Sequence, residues 1–310
     1  MITLNKKFAV IAVGIILLSV VSVIFYQIIA NIAGTVSKSA EISTPTDAIR
    51  KSIDQGNEDA AAKSAEDVIT RESDSAKTED AYWKLASIYE KKQDLLKLKD
   101  VYQKIVEKFP SSSKILRAQE ALENTNVKLL FSHIVTPDSF VYEVQKGDGL
   151  AKIAKKFNTT VDLISRANDL MPDVLRYGKK LKITKLKFSI VVDKSQNILT
   201  LKADGNVLKT YRVATGKDSS TPVGTFKIIT KIVNPPWYPP KGKVIPSGDP
   251  KNVLGSRWLG ISKPSYGIHG TIDPLSIGKS VTEGCIRMKN AEVEELYSIV
   301  PEGTEVVIVD

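Results

Sequence analysis

The sequence predicts a multidomain protein with four parts: an apolar N-terminal span, an all-α segment, a small α+β module and a mostly-β C-terminal domain. Three observations lead to this prediction. The chain has 310 residues, more than a single hydrophobic core usually organises. The run from Phe8 to Ser37 carries no charged side chain. The spacing of apolar residues then changes from a helical period in the first half to an alternating, strand-like period after Lys187.

Composition excludes several classes of protein. With 25% charged and 42% hydrophobic residues, the chain is neither disordered nor of low complexity. The single cysteine, Cys285, excludes an intramolecular disulfide framework and any thiolate-rich zinc or iron–sulfur site. Only two histidines are present, which leaves little for a catalytic metal centre. We expect no metal, no cofactor and no nucleic-acid partner. Cys285 is therefore either a packing residue of the core or a reactive thiol.

Residues 1–40 are predicted to form a cytoplasmic stub and a transmembrane anchor. The helix Phe8–Ala30, at 1.5 Å per residue, is long enough to cross a hydrocarbon core of about 30 Å. Lys6 and Lys7 precede it, so the positive-inside rule leaves the amino end in the cytoplasm. A cleaved signal peptide is the alternative, although its apolar region is typically about 7–15 residues. We expect a single-pass protein of the cell membrane, extracytoplasmic after about residue 38.

Residues 41–125 predict helices, because glycine and proline are almost absent and apolar residues recur at helical spacing. Pro110 is expected to end one of these helices. The aromatic-rich stretch AYWKLASIYEKKQDLLKLKDVYQKIVEKFP resembles one tetratricopeptide-type helical hairpin, and the residues before it resemble a degenerate copy. Such a segment is either a spacer or a docking surface for a protein partner. Residues 126–140 are predicted to be a linker.

Residues 141–186 predict a strand–helix–helix–strand order, with a Lys-Gly-Asp-Gly turn after the first strand and LKI as the last. The stretch GDGLAKIA, Asn168 after the second helix and GKKL near the end together resemble a LysM module. The resemblance implies binding of glycan that contains N-acetylglucosamine, chiefly peptidoglycan, in a shallow groove between the loops.

Residues 187–310 alternate in the strand period, as in FSIVVD, ILTLKAD and TFKIIT. Asp204-Gly205 is predicted to be a hairpin turn. A stretch rich in proline and glycine around Trp237, Tyr238 and Trp258 suggests a loop over a cleft. With a closing helix near residues 291–299, the pattern predicts a β-rich sandwich or barrel with one or two helices.

The candidate chemistry of this domain lies around Cys285. Taken singly, a lone cysteine is usually buried filler and a lone histidine is usually structural. Here Gly284 precedes the cysteine and allows close backbone approach. The Cys285 amide could then face a carbonyl oxygen, as an oxyanion hole requires. Arg287 lies two residues on, where its charge can lower the thiol pKa or hold a carboxylate. His269 is the one plausible base that a thiol nucleophile would need.

The motifs IHGT at 268–271, SIG at 276–278 and TEGCIRM at 282–288, with TPVG and GDPKNVLGSRWLGI upstream, resemble the L,D-transpeptidase (YkuD-like) catalytic domain over residues 187–310. The resemblance implies Cys285 as nucleophile and His269 as general base. It also implies that the Gly270 carbonyl orients the imidazole and that Gly284 and Cys285 supply oxyanion N–H groups. The resemblance further implies that the substrate is bound by Arg287, Thr282 and Tyr266.

The resemblance implies a peptidoglycan L,D-transpeptidase that cross-links stem peptides through a cysteine thioester and releases D-alanine. Two alternatives stay open: an L,D-carboxypeptidase acting on the same stems, and a non-catalytic cell-wall-binding protein. One departure from the family pattern concerns the residues before Gly-Cys. Thr282-Glu283 stands where many members have Ser-His, which leaves one histidine in the motif.

Overall fold

The computed structural model describes residues 45–71, 76–170, 175–239 and 241–310. Within these ranges, no helix combines the length and the apolar character that a membrane span requires. The predicted anchor Phe8–Ala30 lies outside the described residues. The anchor and the cell-membrane location therefore stay predictions.

The chain divides into two compact units, the first of which ends at Ile88. Its helices are α1 (Pro45–Asp54), α2 (Glu58–Arg71) and the start of α3 (Ala76–Lys91). Helices α1 and α2 pack against each other, with a turn between them at Gly56, whose φ of 69° suits glycine. The buried side chains of the pair are small and apolar: Ile49, Ala61, Ala65 and Val68. The prediction of helices here is confirmed.

The second unit begins with two further helices, α4 (Leu95–Lys108) and α5 (Ile115–Phe131), which pack against each other. Asp94 caps α4, because its carboxylate accepts a hydrogen bond from the Lys97 amide at 3.1 Å. The helix stops before Pro110, as predicted.

Helix α5 continues into residues 126–140, the segment predicted to be a linker, and the connection is restricted to residues 132–138. The physical reason is that Val127 and Leu130 extend the apolar face of the helix by another turn, and both are buried. Sequence reasoning missed this because the local spacing of apolar residues after 125 is weak, and the burial of Val127 and Leu130 appears only in the folded chain.

The LysM module has the predicted βααβ order. Its elements are β1 (Ser139–Glu143), α6 (Leu150–Lys156), α7 (Val161–Ala167) and β2 (Lys180–Thr184). Strands β1 and β2 pair antiparallel, with Ser139 opposite Thr184. Their shared core consists of buried apolar side chains: Val144, Ile153, Ala154, Ile164, Leu181 and Ile183.

The C-terminal domain is built on an eight-stranded ladder. Its elements are β3 (Phe188–Asp193), β4 (Ile198–Ala203), β5 (Asn206–Arg212), β6 (Thr215–Gly216), β7 (Gly224–Val233), β8 (Arg257–Ile261), β9 (Gly267–His269), β10 (Ser280–Thr282), β11 (Ile286–Arg287), α8 (Asn290–Ile299) and β12 (Glu305–Val309). The strand order in the ladder is β11-β9-β8-β7-β12-β3-β4-β5. Strand β7 belongs to both halves of the ladder: its first part pairs with β12 and its second part with β8.

Two local features of this domain were predicted and are confirmed. Asp204 and Gly205 connect β4 to β5 with φ angles of 47° and 83°, as a tight hairpin requires. The closing helix α8 covers the predicted residues. In addition, the short strands β6 and β10 pair in parallel outside the main ladder, which brings the chain around residue 216 beside the chain around residue 282.

A buried lysine joins the LysM module to the preceding helix. The Lys182 ammonium on β2 donates hydrogen bonds to the carbonyls of Leu129 at 2.7 Å and Ser132 at 2.8 Å, at the C-terminal end of α5. The Leu129 carbonyl also accepts hydrogen bonds from the Ser132 amide at 3.2 Å and the Ser132 hydroxyl at 2.9 Å, so the ammonium adds to the capping of this helix end. Burial lowers the pKa of Lys182 to about 8.

Candidate active site

Strand β9 and its two neighbours carry the predicted cysteine–histidine pair. Strands β9 and β11 pair in parallel, with Arg287 opposite His269. Cys285 directly precedes β11, and its thiol lies against the backbone of Ser265 and Gly267 at the start of β9, the strand that ends at His269. Strand β8 adds Trp258 opposite His269. The two rings stack with their centroids 6.0 Å apart. The imidazole is therefore held between an aromatic ring and the strand that carries Arg287.

His269 is buried and neutral. Its Nδ1 lies 2.7 Å from the carbonyl oxygen of Gly270. Because a carbonyl can only accept a hydrogen bond, Nδ1 carries the hydrogen and Nε2 carries the lone pair. Burial lowers the pKa of His269 to about 4, and the Arg287 charge acts in the same direction. The expected contact between Gly270 and the imidazole is present, and it fixes the tautomer that a general base needs.

The Cys285 thiol is partly exposed and lies 3.6 Å from the carbonyl oxygen of Ser265. Burial raises the pKa of this thiol. A hydrogen bond from the Gly267 backbone and the charge of Arg287 act in the opposite direction but are outweighed. Arg287 was expected to be able to lower the thiol pKa. It does oppose the rise, yet the resting group is a neutral thiol, so it needs a base to become a nucleophile.

Gly284 occupies a backbone position that only glycine fits. Its φ is 124°, and a Cβ atom there would lie 2.7 Å from Cε1 of Tyr266 and 2.9 Å from the Ser220 carbonyl oxygen. The half-buried Tyr266 ring thus lies directly against the residue before the nucleophile. The structure brings Tyr266 to the site, as predicted.

The hydroxyl of Thr282 is engaged inside the nucleophile loop, which we define as residues 282–285. It donates a hydrogen bond to the Cys285 carbonyl at 2.6 Å and accepts one from the Gly284 amide at 3.2 Å. Thr282 is also 4% exposed. These contacts correct two expectations. Thr282 shapes the loop instead of facing substrate, and the Gly284 N–H, expected to be an oxyanion donor, already has an acceptor.

Two residues that sequence reasoning missed hold the loops of the site. Thr221 is buried, and its hydroxyl accepts a hydrogen bond from the Gly216 amide at 2.7 Å and donates one to the Gly284 carbonyl at 2.9 Å. Asn290 accepts from the Thr271 amide and donates to the Thr271 carbonyl, both at 2.9 Å. Thr221 lies in the TPVG segment, which was predicted to be a turn and formed part of the resemblance, but no role was assigned to Thr221 itself.

Arg287 contributes a fixed positive charge. Its Nη1 donates a hydrogen bond to the Ser276 hydroxyl at 3.0 Å, and Ser276 belongs to the SIG motif. Its Nε is buried and has no hydrogen-bond partner among the described residues. The guanidinium is thus anchored through Nη1 and places its charge beside the cysteine–histidine pair.

Glu283, the residue that departs from the family pattern, points to solvent. It forms an ion pair with Lys217 at 2.9 Å, and both side chains are largely exposed. Across the described ranges, no group of three or more histidine, cysteine, aspartate or glutamate side chains is arranged to hold a metal ion. The arrangement is that of a thiol, a neutral imidazole and backbone groups.

The fold and this arrangement define a cysteine-dependent acyltransferase of the L,D-transpeptidase type. The family model described as the L,D-transpeptidase catalytic domain matches residues 187–308, and that of the LysM domain matches residues 142–184. The protein of Bacillus subtilis (strain 168) named L,D-transpeptidase YkuD is 40% identical over 174 residues, which cover 54% of this chain and 97% of that protein. The chain belongs to the L,D-transpeptidase family.

Two further similarities were found. The Bacillus subtilis (strain 168) protein named L,D-transpeptidase YqjB is 44% identical over 127 residues, covering 39% of this chain and 70% of that protein. Among solved structures, an L,D-transpeptidase from Mycobacterium smegmatis is 20% identical, with a TM-score of 0.35 over 43% of this chain and 64% of that chain.

Proposed function

We propose that the protein is a peptidoglycan L,D-transpeptidase in which Cys285 is the nucleophile and His269 the general base. The observation that carries the residue assignment is the fixed tautomer of His269: with Nδ1 bonded to the Gly270 carbonyl at 2.7 Å, the basic lone pair is on Nε2. A neutral thiol against the start of β9 and a neutral imidazole at the end of that strand supply the two groups that nucleophilic acyl transfer requires.

In the first step, the Cys285 sulfur attacks the carbonyl carbon between the third residue of a donor stem peptide and its terminal D-alanine. His269 Nε2 takes the thiol proton as the carbon–sulfur bond forms, and the carbonyl oxygen becomes an oxyanion. The carbon–nitrogen bond then breaks, and the imidazolium returns its proton to the leaving amine of D-alanine. The low pKa of His269, about 4, makes the imidazolium a strong acid for this second transfer.

In the second step, a side-chain amine of another stem attacks the thioester. A new carbon–nitrogen bond forms and the carbon–sulfur bond breaks, and the amine proton passes through His269 to the Cys285 sulfur. One amide replaces another, so no nucleotide is consumed. Arg287, partly exposed and anchored to Ser276, is assigned to hold a carboxylate of the donor through its guanidinium charge, and Tyr266 lines the entry to the nucleophile.

The LysM module is proposed to hold the glycan strand, and the N-terminal span to anchor the protein in the cell membrane with residues after about 38 outside. Tethering the catalytic domain to the wall raises the local concentration of its stem-peptide substrates. A protein partner of the helical segment belongs to the same proposal, with a spacer as its alternative.

The test uses the purified full-length protein, a disaccharide-tetrapeptide and mass spectrometry of the products. We expect a dimer that has lost one D-alanine, and we expect no product from the Cys285→Ala variant. Tripeptide without dimer would instead assign an L,D-carboxypeptidase, in which water resolves the thioester. No product from the wild-type protein, although its thiol is free, would favour a non-catalytic wall-binding protein.

The pH dependence tests the role of His269. Protonated imidazole cannot accept the thiol proton, so activity is present above the pKa of His269 and is lost below it. We expect kcat/KM to fall as the pH is lowered through about 4. An acid limb near 6.5, the value of an ordinary histidine, would contradict the buried, neutral base.

A further inference from the structure

We propose that Thr221 is a positioning residue that aims the backbone amide of Cys285 at the oxyanion formed during acyl transfer. The inference rests on the proposed acyl-transfer function and adds a residue from outside the nucleophile loop. It starts from a chain of hydrogen bonds that runs from β6 to the loop: the Gly216 amide donates to the Thr221 hydroxyl, which donates to the Gly284 carbonyl.

These hydrogen bonds orient the Cys285 amide because of the geometry of one peptide group. The Gly284 carbonyl and the Cys285 amide belong to the same planar unit, and the described residues contain no cis peptide bond. In a trans peptide the C=O and N–H bonds point in opposite directions. A hydrogen bond that fixes the carbonyl toward Thr221 therefore fixes the amide hydrogen toward the other side. Because glycine is conformationally permissive, Gly284 does not fix the orientation of this peptide by itself.

The Cys285 amide is a free donor at the nucleophile itself. The Gly284 amide is committed to the Thr282 hydroxyl at 3.2 Å, and that hydroxyl is itself committed to the Cys285 carbonyl at 2.6 Å. No hydrogen bond of the Cys285 amide is present in the part of the chain that the structure describes. An oxyanion hole needs donors that are already oriented before charge develops, and Thr221 supplies that orientation from a buried position, with 1% of its surface exposed.

The experiment compares two reactions of the same thiol in the full-length protein. Acylation of Cys285 by p-nitrophenyl acetate passes through a tetrahedral oxyanion, whereas alkylation by iodoacetamide displaces iodide and forms none. In Thr221→Val, which keeps the shape and loses the hydroxyl, we expect acylation to slow by about 100-fold. Alkylation and its pH profile should be unchanged. Thr221→Ser should restore acylation, and Cys285→Ala gives the background for both reagents.

Thr304→Val is the matched control, because Thr304 is also buried and its hydroxyl donates to a backbone carbonyl, that of Pro301 at 2.7 Å. It should affect thermal stability as Thr221→Val does and leave both reactions unchanged. Equal slowing of acylation and alkylation in Thr221→Val, or no slowing of either, would overturn the proposal. Because p-nitrophenyl acetate is not a stem peptide, this test stays decisive even if the wild-type protein fails to cross-link stems.

On stem peptides, the same variant should lower kcat and kcat/KM by similar factors, with KM little changed. This pattern marks a contact made in the transition state and not in the bound substrate. A rise in KM with kcat unchanged would instead place Thr221 in substrate binding and contradict the assignment.

Discussion

Two asparagines, one in the LysM module and one in the catalytic domain, hydrogen-bond to backbone groups of other segments. They differ in how far apart in sequence those segments lie. Asn168 donates to the carbonyls of Ile164 at 2.8 Å and Lys182 at 2.9 Å and accepts from the Lys182 amide at 2.6 Å. Asn290 makes two bonds to Thr271 and accepts a third from the Ser256 amide at 3.2 Å. Each side-chain amide replaces a backbone partner that the loops cannot supply.

The difference lies in what each asparagine connects. Asn168 joins the end of α7 to β2, 14 residues away, inside one small module. Asn290, at the start of α8, joins segments 19 and 34 residues away and fixes the loop that follows His269. Loss of the first should disturb a local fold, and loss of the second should disturb a catalytic geometry. Substitutions of the two asparagines therefore distinguish an effect on the stability of the LysM module from an effect on the geometry of the active site.

The largest effect is expected for Asn290→Ala. Without its amide, Thr271 loses two hydrogen bonds and the Ser256 amide loses a third, so the neighbouring Gly270 carbonyl that orients His269 is no longer held. A displacement of about 1 Å at a reacting group can cost about 100-fold in rate. We therefore expect a drop of that order in the rate of dimer formation, measured by mass spectrometry, while binding to insoluble peptidoglycan is unchanged.

Asn168→Ala is the matched control for this variant, since it removes the same group from the same chain. We expect it to lower the free energy of unfolding of the LysM module by about 1–3 kcal/mol, the usual cost of leaving a buried polar group unpaired. Binding to insoluble peptidoglycan should weaken, and turnover of a soluble disaccharide-tetrapeptide should persist. If Asn168→Ala abolished turnover and Asn290→Ala did not, the comparison between the two asparagines would be wrong.

The smallest effect is expected for Glu283→Gln. This change removes the exposed ion pair with Lys217 on the nucleophile loop and leaves the buried hydrogen bonds of Thr282 and Thr221 in place. Because exposed ion pairs contribute little, turnover should change by about twofold or less. A loss comparable to that of Asn290→Ala would show that the surface pair, and not the buried contacts, holds the loop.

Sequence reasoning reached the parts of the fold that local patterns encode. The βααβ order of the LysM module, the hairpin at Asp204-Gly205 and the helix near residues 291–299 follow from periodicity and turn chemistry. The end of α5 did not, because the segment predicted as a linker is helical through Phe131, where Val127 and Leu130 are buried. Burial against a distant surface is not visible in the spacing of a single segment.

The sequence by itself determined that Cys285 and His269 share a domain and a family motif, because residue identity and short spacing are enough for a resemblance. Only the tertiary structure decided the protonation states of the site residues and the directions of their hydrogen bonds. The neutral tautomer of His269, the raised pKa of the thiol and the contact of Thr221 with Gly284 all depend on atoms far apart in the chain. Desolvation and hydrogen-bond direction are properties of packing, and packing exists only once the chain is folded.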